Sequence, residues 1–479
     1  MQVWRPRCPD DGAAPPTARY RGNRLPVLPS SHLEPRLHPP RTLGILVATA
    51  LALACTPSIP DITKVAGGSD SAADTDTVDT GPEIIGGHDS DSGEPDDSAG
   101  PDDSGDTGDQ VETWPKDCSP LYDQDELQTF DLTFTDAAWS ALQNDCYSGT
   151  QSYHPVDLTW NGETVPAKVR LKGNWTWNCG KLQFVVSFNE DDSAGRFHGV
   201  RKMVLDAPWY DRTMLHERLA FPLFKRLDLP YSCVNSAKVS VNGDYYGLYS
   251  NIERLDHEYL ERNFEDPSGN LYQAGNELKT NEDAPDTSDL DALRAASTVE
   301  EIAAVVDLNE ATAEWAAEAM IPALDNYWAG VEINYYLYDY PGRGFLYLPY
   351  DLDLVFGDSV YGDGTPIWGN VDVADPIKWQ HTGWLKEQLF ETVLSDPEWC
   401  ETYVDNLVLA RAAYNPADMV ADIEEWDAQI YEAYAADPRA TVDITTHEAS
   451  IALLEVFIQD RADAVDAWLA DGGHCPATW

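Results

Sequence analysis

"PYDLDLVFG" (residues 349–357) sets two carboxylates, Asp351 and Asp353, inside an otherwise apolar and aromatic run. A carboxylate taken out of water is strongly destabilising unless it is paired, hydrogen-bonded or bound to a cation, so these two require partners. The preceding "GFLYLPY" alternates and is rich in aromatic and aliphatic side chains, which predicts a strand over 344–350 that delivers Asp351 at its end. If the backbone stays extended, Asp351 and Asp353 share a face while Leu352 and Leu354 point the other way. The competing reading is an acidic turn that caps a strand or helix end, and the rest of the chain must decide.

Far upstream, "RTLGILVATALALAC" (41–55) runs from a basic residue through eleven apolar residues to a terminal cysteine. It is too short for a permanent bilayer span and reads as a signal-peptide core. Its end, "LALAC", resembles the lipobox of bacterial lipoproteins. That implies export, lipidation of Cys55 and a lipid anchor in the bacterial membrane, at the outer membrane or cell surface; the alternative is a plain secretory signal cut elsewhere. Residues 1–55 are thus assigned to a leader, with the Pro- and Arg-rich 1–40 read as sequence upstream of a misassigned start. Residues 56–113 are almost all Asp, Ser, Gly, Thr and Pro, too poor in apolar surface to order themselves, and are read as a disordered acidic linker. Their alternating aspartates lack the fixed positions of an EF-hand loop.

The whole chain carries a formal net charge of −52; the leader holds seven Arg against three acids and the linker 16 acids against one Lys, which leaves −41 on residues 114–479. Such a field repels nucleic acid and favours basic partners, so no nucleic-acid ligand is expected. Beyond Cys8 and Cys55, six cysteines remain, an even number that suggests up to three disulfides in an exported chain. No CxxC spacing marks a zinc or redox site. Cys118 with Cys146 and Cys400 with Cys475 are the expected pairs.

From Trp114 to about Tyr249 the periodicity is mainly two, and "VNGDYYG" carries the Asn-Gly signal of a tight hairpin. One helix interrupts at 211–227, with Asp211 as its cap and Pro222 expected to kink it or end it early. After Asp256 the helical period dominates, apart from the strand pair around "NYYLYDY" and "GFLYLPYDLD". This is an α+β architecture of two lobes, a sheet-rich one over about 120–253 and a mainly helical one over about 254–479. A cleft between lobes is the default place for a ligand.

Three constellations carry chemistry. Along "VPAKVRLKG" the alternation sets Lys168, Arg170 and Lys172 on one face, and Lys181, Arg196, Arg201 and Lys202 follow: seven of 31 cationic residues within 35 positions. An anionic ligand such as a phosphate would require that concentration, although exposed strands also carry Lys and Arg to discourage edge pairing. Glu217, on the one helix of the sheet-rich part, could position a lysine or could be a solvated helical residue. Asp325, Asn334 and Asp351 supply oxygen ligands and a candidate proton acceptor within 27 residues, a set that suits Mg²⁺ completed by phosphates and water. Asp351 would then be stabilised by a metal, and Asp353 by the metal or by backbone amides.

The segments "KGNWTW", "GKLQFVVSF", "FHGVRKMVL", "DRTMLHERLAFPLFKRLDLP", "VNGDYYGLYSNIERLDHEYL", "GNLYQAG", "LDNYWAG", "NYYLY" and "LPYDLDLVFG" occur in an order that resembles the CotH family, bacterial spore-coat-type proteins with an atypical, divergent protein-kinase fold. The resemblance covers roughly 131–357 and implies a bilobal kinase-like fold that transfers phosphate from Mg-ATP to a protein Ser or Thr. By position, Lys181 is similar to the nucleotide lysine, with Arg170 and Lys172 as rivals, and Glu217 to its helix partner. Asp325 resembles the catalytic acid that accepts the substrate proton, Asn334 and Asp351 the metal ligands, and Asp353 an accessory. The chain lacks the conventional kinase G-x-G-x-x-G, H-R-D and D-F-G, and its Asp325-to-Asn334 interval is longer than the kinase D-x-x-x-x-N, departures the family shares. A disulfide through Cys179 would constrain the loop of Lys181. The protein substrate is expected to be basic and Ser-rich, from the charge of −41. The alternative is a catalytically silent surface-binding or structural module, since ATP is scarce outside the cytoplasm. A sugar-binding role for the many Trp and Tyr carries less weight, because aromatic strands are more often core.

Overall fold

A computed structural model describes residues 114–173, 178–323, 325–327, 333–357, 376–377 and 388–476. The leader, Cys55 and the acidic linker lie outside the described residues. Period-two patterning accompanies β1 (Gln128–Thr133), β3 (Glu163–Leu171), β4 (Phe184–Ser187), β5 (Lys202–Asp206), β6 (Val234–Val241) and β7 (Asp244–Glu253), and β2 (His154–Trp160) joins them without having been anticipated. Helix α1 (Asp136–Ser148) follows β1, and α2 (His216–Arg226) lies between β5 and β6. What the pattern did not announce is closure. The strands form a closed barrel in the order β1-β2-β3-β4-β5-β7-β6, sealed by parallel pairing of β1 with β6. Phe130, Leu158, Val169, Phe184, Leu205 and Leu248 are fully or almost fully buried in it, each apolar side chain contributing about 1.5–3 kcal/mol of burial.

The expected Asn-Gly hairpin joins β6 to β7, with φ of 53° at Asn242 and 82° at Gly243, the positive values a type I′ turn demands. Helix α2 begins at His216, not at Asp211. The carboxylate of Asp211 accepts from the amides of Thr213 (2.8 Å), Met214 (3.0 Å) and His216 (2.9 Å), so it ties down the turn ahead of the helix. Pro222 does not end the helix, which continues to Arg226.

The rest of the described chain holds α3 (His257–Asn263), α4 (Ser288–Ala295), α5 (Val299–Ala303), α6 (Leu308–Met320), α7 (Gln388–Leu394), α8 (Pro397–Ala413), α9 (Pro416–Ala435) and α10 (Ile444–Ala470). Strands β8 (Leu271–Gln273), β9 (Glu277–Leu278), β10 (Tyr335–Tyr340) and β11 (Gly344–Pro349) make a second, four-stranded sheet in the order β11-β10-β8-β9. Asp307, Asp396, Asn415 and Asp443 cap α6, α8, α9 and α10 by accepting from first-turn amides, each cap contributing about 1 kcal/mol. The α+β class is as expected.

Among the described residues three disulfides are present: Cys118–Cys233, Cys146–Cys179 and Cys400–Cys475. The last is the expected pair, but Cys118 with Cys146 is not made. Cys118 meets Cys233, at the threshold of β6, across 115 residues of sequence, and the end of α1 brings Cys146 to the loop after β3 instead. Three disulfides suit an oxidising, extracytoplasmic compartment.

Candidate active site

Strand β3 ends at Leu171, and Lys172 follows it with its amide donating to the carbonyl of Gln183 at 3.0 Å. Its Nζ lies 2.7 Å from Oδ2 of Asp206, the last residue of β5, and 3.0 Å from Oδ1 of Asp351. Burial opposes the charge on Lys172, but Asp206 and Asp351 more than offset it and hold the ammonium well above its usual range.

Strands β10 and β11 pair antiparallel with Tyr335 opposite Pro349, so Asn334 and Asp351 emerge at the same end of this hairpin. Both adopt left-handed backbone, with φ of 59° at Asn334 and 57° at Asp351. Asn and Asp are the non-glycine residues that tolerate this conformation best. The extended continuation expected through Asp353 therefore does not occur; the chain turns at Asp351. Asn334 Nδ2 donates to Oδ2 of Asp325 at 2.8 Å, which fixes that carboxylate and leaves the amide oxygen available as a ligand. Burial first, then the charge of Asp351, raises Asp325 well above the usual carboxylate range.

Asp353 is buried, and its carboxyl is raised by that burial and by Asp351, Asp325, Glu217 and Asp206. Its carbonyl accepts from Nδ1 of His216 at 2.7 Å, latching the start of α2 to the acidic segment. The next residue, Glu217, is only 2% exposed, yet among the described residues neither of its carboxyl oxygens has a hydrogen-bond partner. Burial, then Asp206 and Asp351, push its carboxyl well up.

Lys172, Glu217, Asp325, Asn334, Asp351 and Asp353 are thus brought together. Lys181 is committed elsewhere. Its Nζ lies 2.8 Å from Oδ2 of Asp437, both side chains being buried, and that carboxylate also accepts from the amides of Leu248 (2.9 Å) and Arg439 (2.7 Å). Arg170 donates to the side chain of Gln151 at 3.0 Å and to the hydroxyl of Tyr153 at 3.2 Å. The residue missed in the sequence is Asp206. Its signal was available in "KMVLDAP", an acid ending an apolar strand, the same grammar as "LPYD".

Asp206, Glu217 and Asp351 thus act on the Lys172 ammonium, Asp325 and Asp353 feel the charge of Asp351, and among the described residues neither Glu217 carboxyl oxygen has a hydrogen-bond partner. Buried acids left unpartnered fit a divalent cation. No group of three or more His, Cys, Asp or Glu stands ready as a metal cage among the described residues. Magnesium does not need one, since it is held by one or two carboxylates and completes its shell with water and phosphate. A cavity of about 600 Å³ lined by Lys116, His198, Arg201, Arg254, Glu258 and neighbours lies apart from this cluster. Its Arg201 is paired with Glu258 at 2.7 Å and its Arg262 with Glu253 at 2.7 Å.

A family profile described as CotH kinase protein matches residues 169–465. The chain belongs to the CotH family. Every residue of the acidic cluster falls inside the CotH match. The inner spore coat protein H of Bacillus subtilis (strain 168) is 25% identical over 126 residues, which is 23% of this chain and 34% of that protein. The similarity therefore spans about a third of the relative's length.

Proposed function

We propose that this CotH chain is an exported protein kinase that transfers the γ-phosphoryl group of ATP to Ser or Thr of a protein, with Mg²⁺ as cofactor and a bilobal, kinase-like arrangement of barrel and helical part. The observation that carries the reading is the hairpin end at which Asn334 orients the Asp325 carboxylate at 2.8 Å while Asp351 meets Lys172 at 3.0 Å. In the step proposed, the substrate hydroxyl oxygen bonds to the γ-phosphorus, the bond from that phosphorus to the departing ADP oxygen breaks, and Asp325 takes the hydroxyl proton. Burial and Asp351 make Asp325 a stronger base than a solvated aspartate. Asn334, Asp351 and Asp353 would hold magnesium, which when bound supplies neutralisation of phosphate charge. The role of nucleotide lysine goes to Lys172, because Lys181 is bound to Asp437. Lys172 offers its ammonium to phosphate oxygens; positioning and charge neutralisation are the main demands of this chemistry.

The charge of −41 on residues 114–479 supports a basic, Ser-rich protein substrate, attracted by a field that weakens with salt. Export and a lipid anchor at Cys55 complete the reading. The test is transfer of label from ATP with Mg²⁺ to a serine-rich basic polypeptide by the full chain, alongside Asp325→Ala and Asp351→Asn. Transfer lost in both variants is the expected result. An absence of transfer, together with a melting temperature that Mg-ATP does not raise, would overturn the kinase reading in favour of a silent surface-binding module.

A further inference from the structure

Lys172 is held by two carboxylates that are not equivalent. Asp351, with a side chain 27% exposed, is a candidate metal ligand on the turn after β11, so its oxygens are needed elsewhere when the site is loaded. Asp206 is 4% exposed and sits in the barrel ladder opposite Ser250, where the sheet fixes it. Glu217, the helix residue expected to pair with a lysine, makes no hydrogen bond with its carboxyl among the described residues. We infer that Asp206 is the positioning residue of Lys172: the strand-end carboxylate, rather than the helix glutamate, holds the ammonium where it can meet phosphate oxygens. The inference rests on the kinase reading.

A second buried ion pair in the same molecule offers a comparison. Asp437 is 1% exposed, and its carboxylate accepts from Lys181 and from the amides of Leu248 and Arg439. Lys172 is 15% exposed, against 5% for Lys181, and is shared between Asp206 and Asp351, so its ammonium can meet a ligand while Asp206 still holds it.

The test compares Asp206→Asn and Asp206→Glu with the intact chain in two measurements. The first is Mg-ATP affinity. Loss of a charge-assisted hydrogen bond is expected to weaken it roughly 10- to 100-fold in Asp206→Asn. Asp206→Glu should recover part of the loss, and Lys172→Met combined with Asp206→Asn should be no worse than Lys172→Met alone. The second is the place of Lys172 in a crystal structure of Asp206→Asn without nucleotide, where Nζ is expected to leave its position beside β5 and turn to Asp351 or Glu217. Asp206→Asn that melts like the intact chain, binds Mg-ATP unchanged and leaves Lys172 Nζ in place overturns the inference. If the intact chain binds no Mg-ATP while Lys172 moves in Asp206→Asn, the kinase reading fails and the positioning contact stands.

Discussion

Asp351 and Asn334 show how a single backbone state narrows the choice of residue. Both have positive φ, a state that costs most L-residues about 1–2 kcal/mol and Asn or Asp less. Asp351→Asn is therefore expected to melt close to the intact chain, while Asp351→Val lowers the melting temperature by a few degrees; both should lose the stabilisation given by Mg-ATP, read by melts with and without it. Asp325 carries a pH signature. Its carboxyl is raised above the ordinary 3.8 and must be ionised to accept a proton, so kcat/KM should fall on acidification with a midpoint above that value. An acidic limb at the ordinary carboxylate position would remove Asp325 from the base role. The chemical types at these positions were legible in "LDNYWAG" and "PYDLD"; their left-handed backbone was not, since period two predicts only that a strand arrives.

Helix α6 carries a ladder of acids, Glu310, Glu314 and Glu318, spaced four apart and therefore on one face. Burial pushes Glu310 up to about 7, against the pull of Arg343, and raises Glu314 well up. Glu318 is also pushed up to about 7 by burial, while hydrogen bonds from Glu314 and Asn326 act the other way. Asn326 adjoins Asp325, so this helix end braces the loop of the proposed base. An acid with a raised folded pKa binds its proton more tightly when folded, so its stabilising effect is present below about 4.5 and is lost as pH rises toward about 7. Melting temperature should fall across that window. Glu318→Gln, which keeps an acceptor for Asn326, should flatten the fall and stabilise the protein above neutrality; an unchanged slope would show that Glu318 is not the titrating group. "ATAEWAAEAM" gave little warning of buried acids, because a helix that is apolar nearly all round has no solvent face to contradict.

At the scale of the whole molecule, the barrel is pinned to the segment between α9 and α10 by Lys181 and Asp437, reinforced by the Arg439 guanidinium lying 3.8 Å over the ring of Tyr246. Removing one partner of a buried pair leaves an uncompensated charge at a cost of about 3–5 kcal/mol. Asp437→Ala should lower the denaturant midpoint accordingly, and Lys181→Met with Asp437→Leu should recover most of it; equal midpoints for Asp437→Ala and the intact chain would contradict the pin. Much of the rest was written locally. The α+β class, the Asn-Gly hairpin and the acid delivered at the end of β11 follow from side-chain periodicity and short-range turn chemistry, both readable along the chain. The Cys400–Cys475 pair was anticipated too, although spacing alone could not dictate it. Closure of the barrel by β1 on β6, the partners of Cys118 and Cys146, and the pairing of Lys181 with Asp437 and of Lys172 with Asp206 and Asp351 came from the tertiary fold. Each joins residues far apart in the chain, and such contacts depend on how packed strands and helices bring their ends together in space, a relation that no local period encodes.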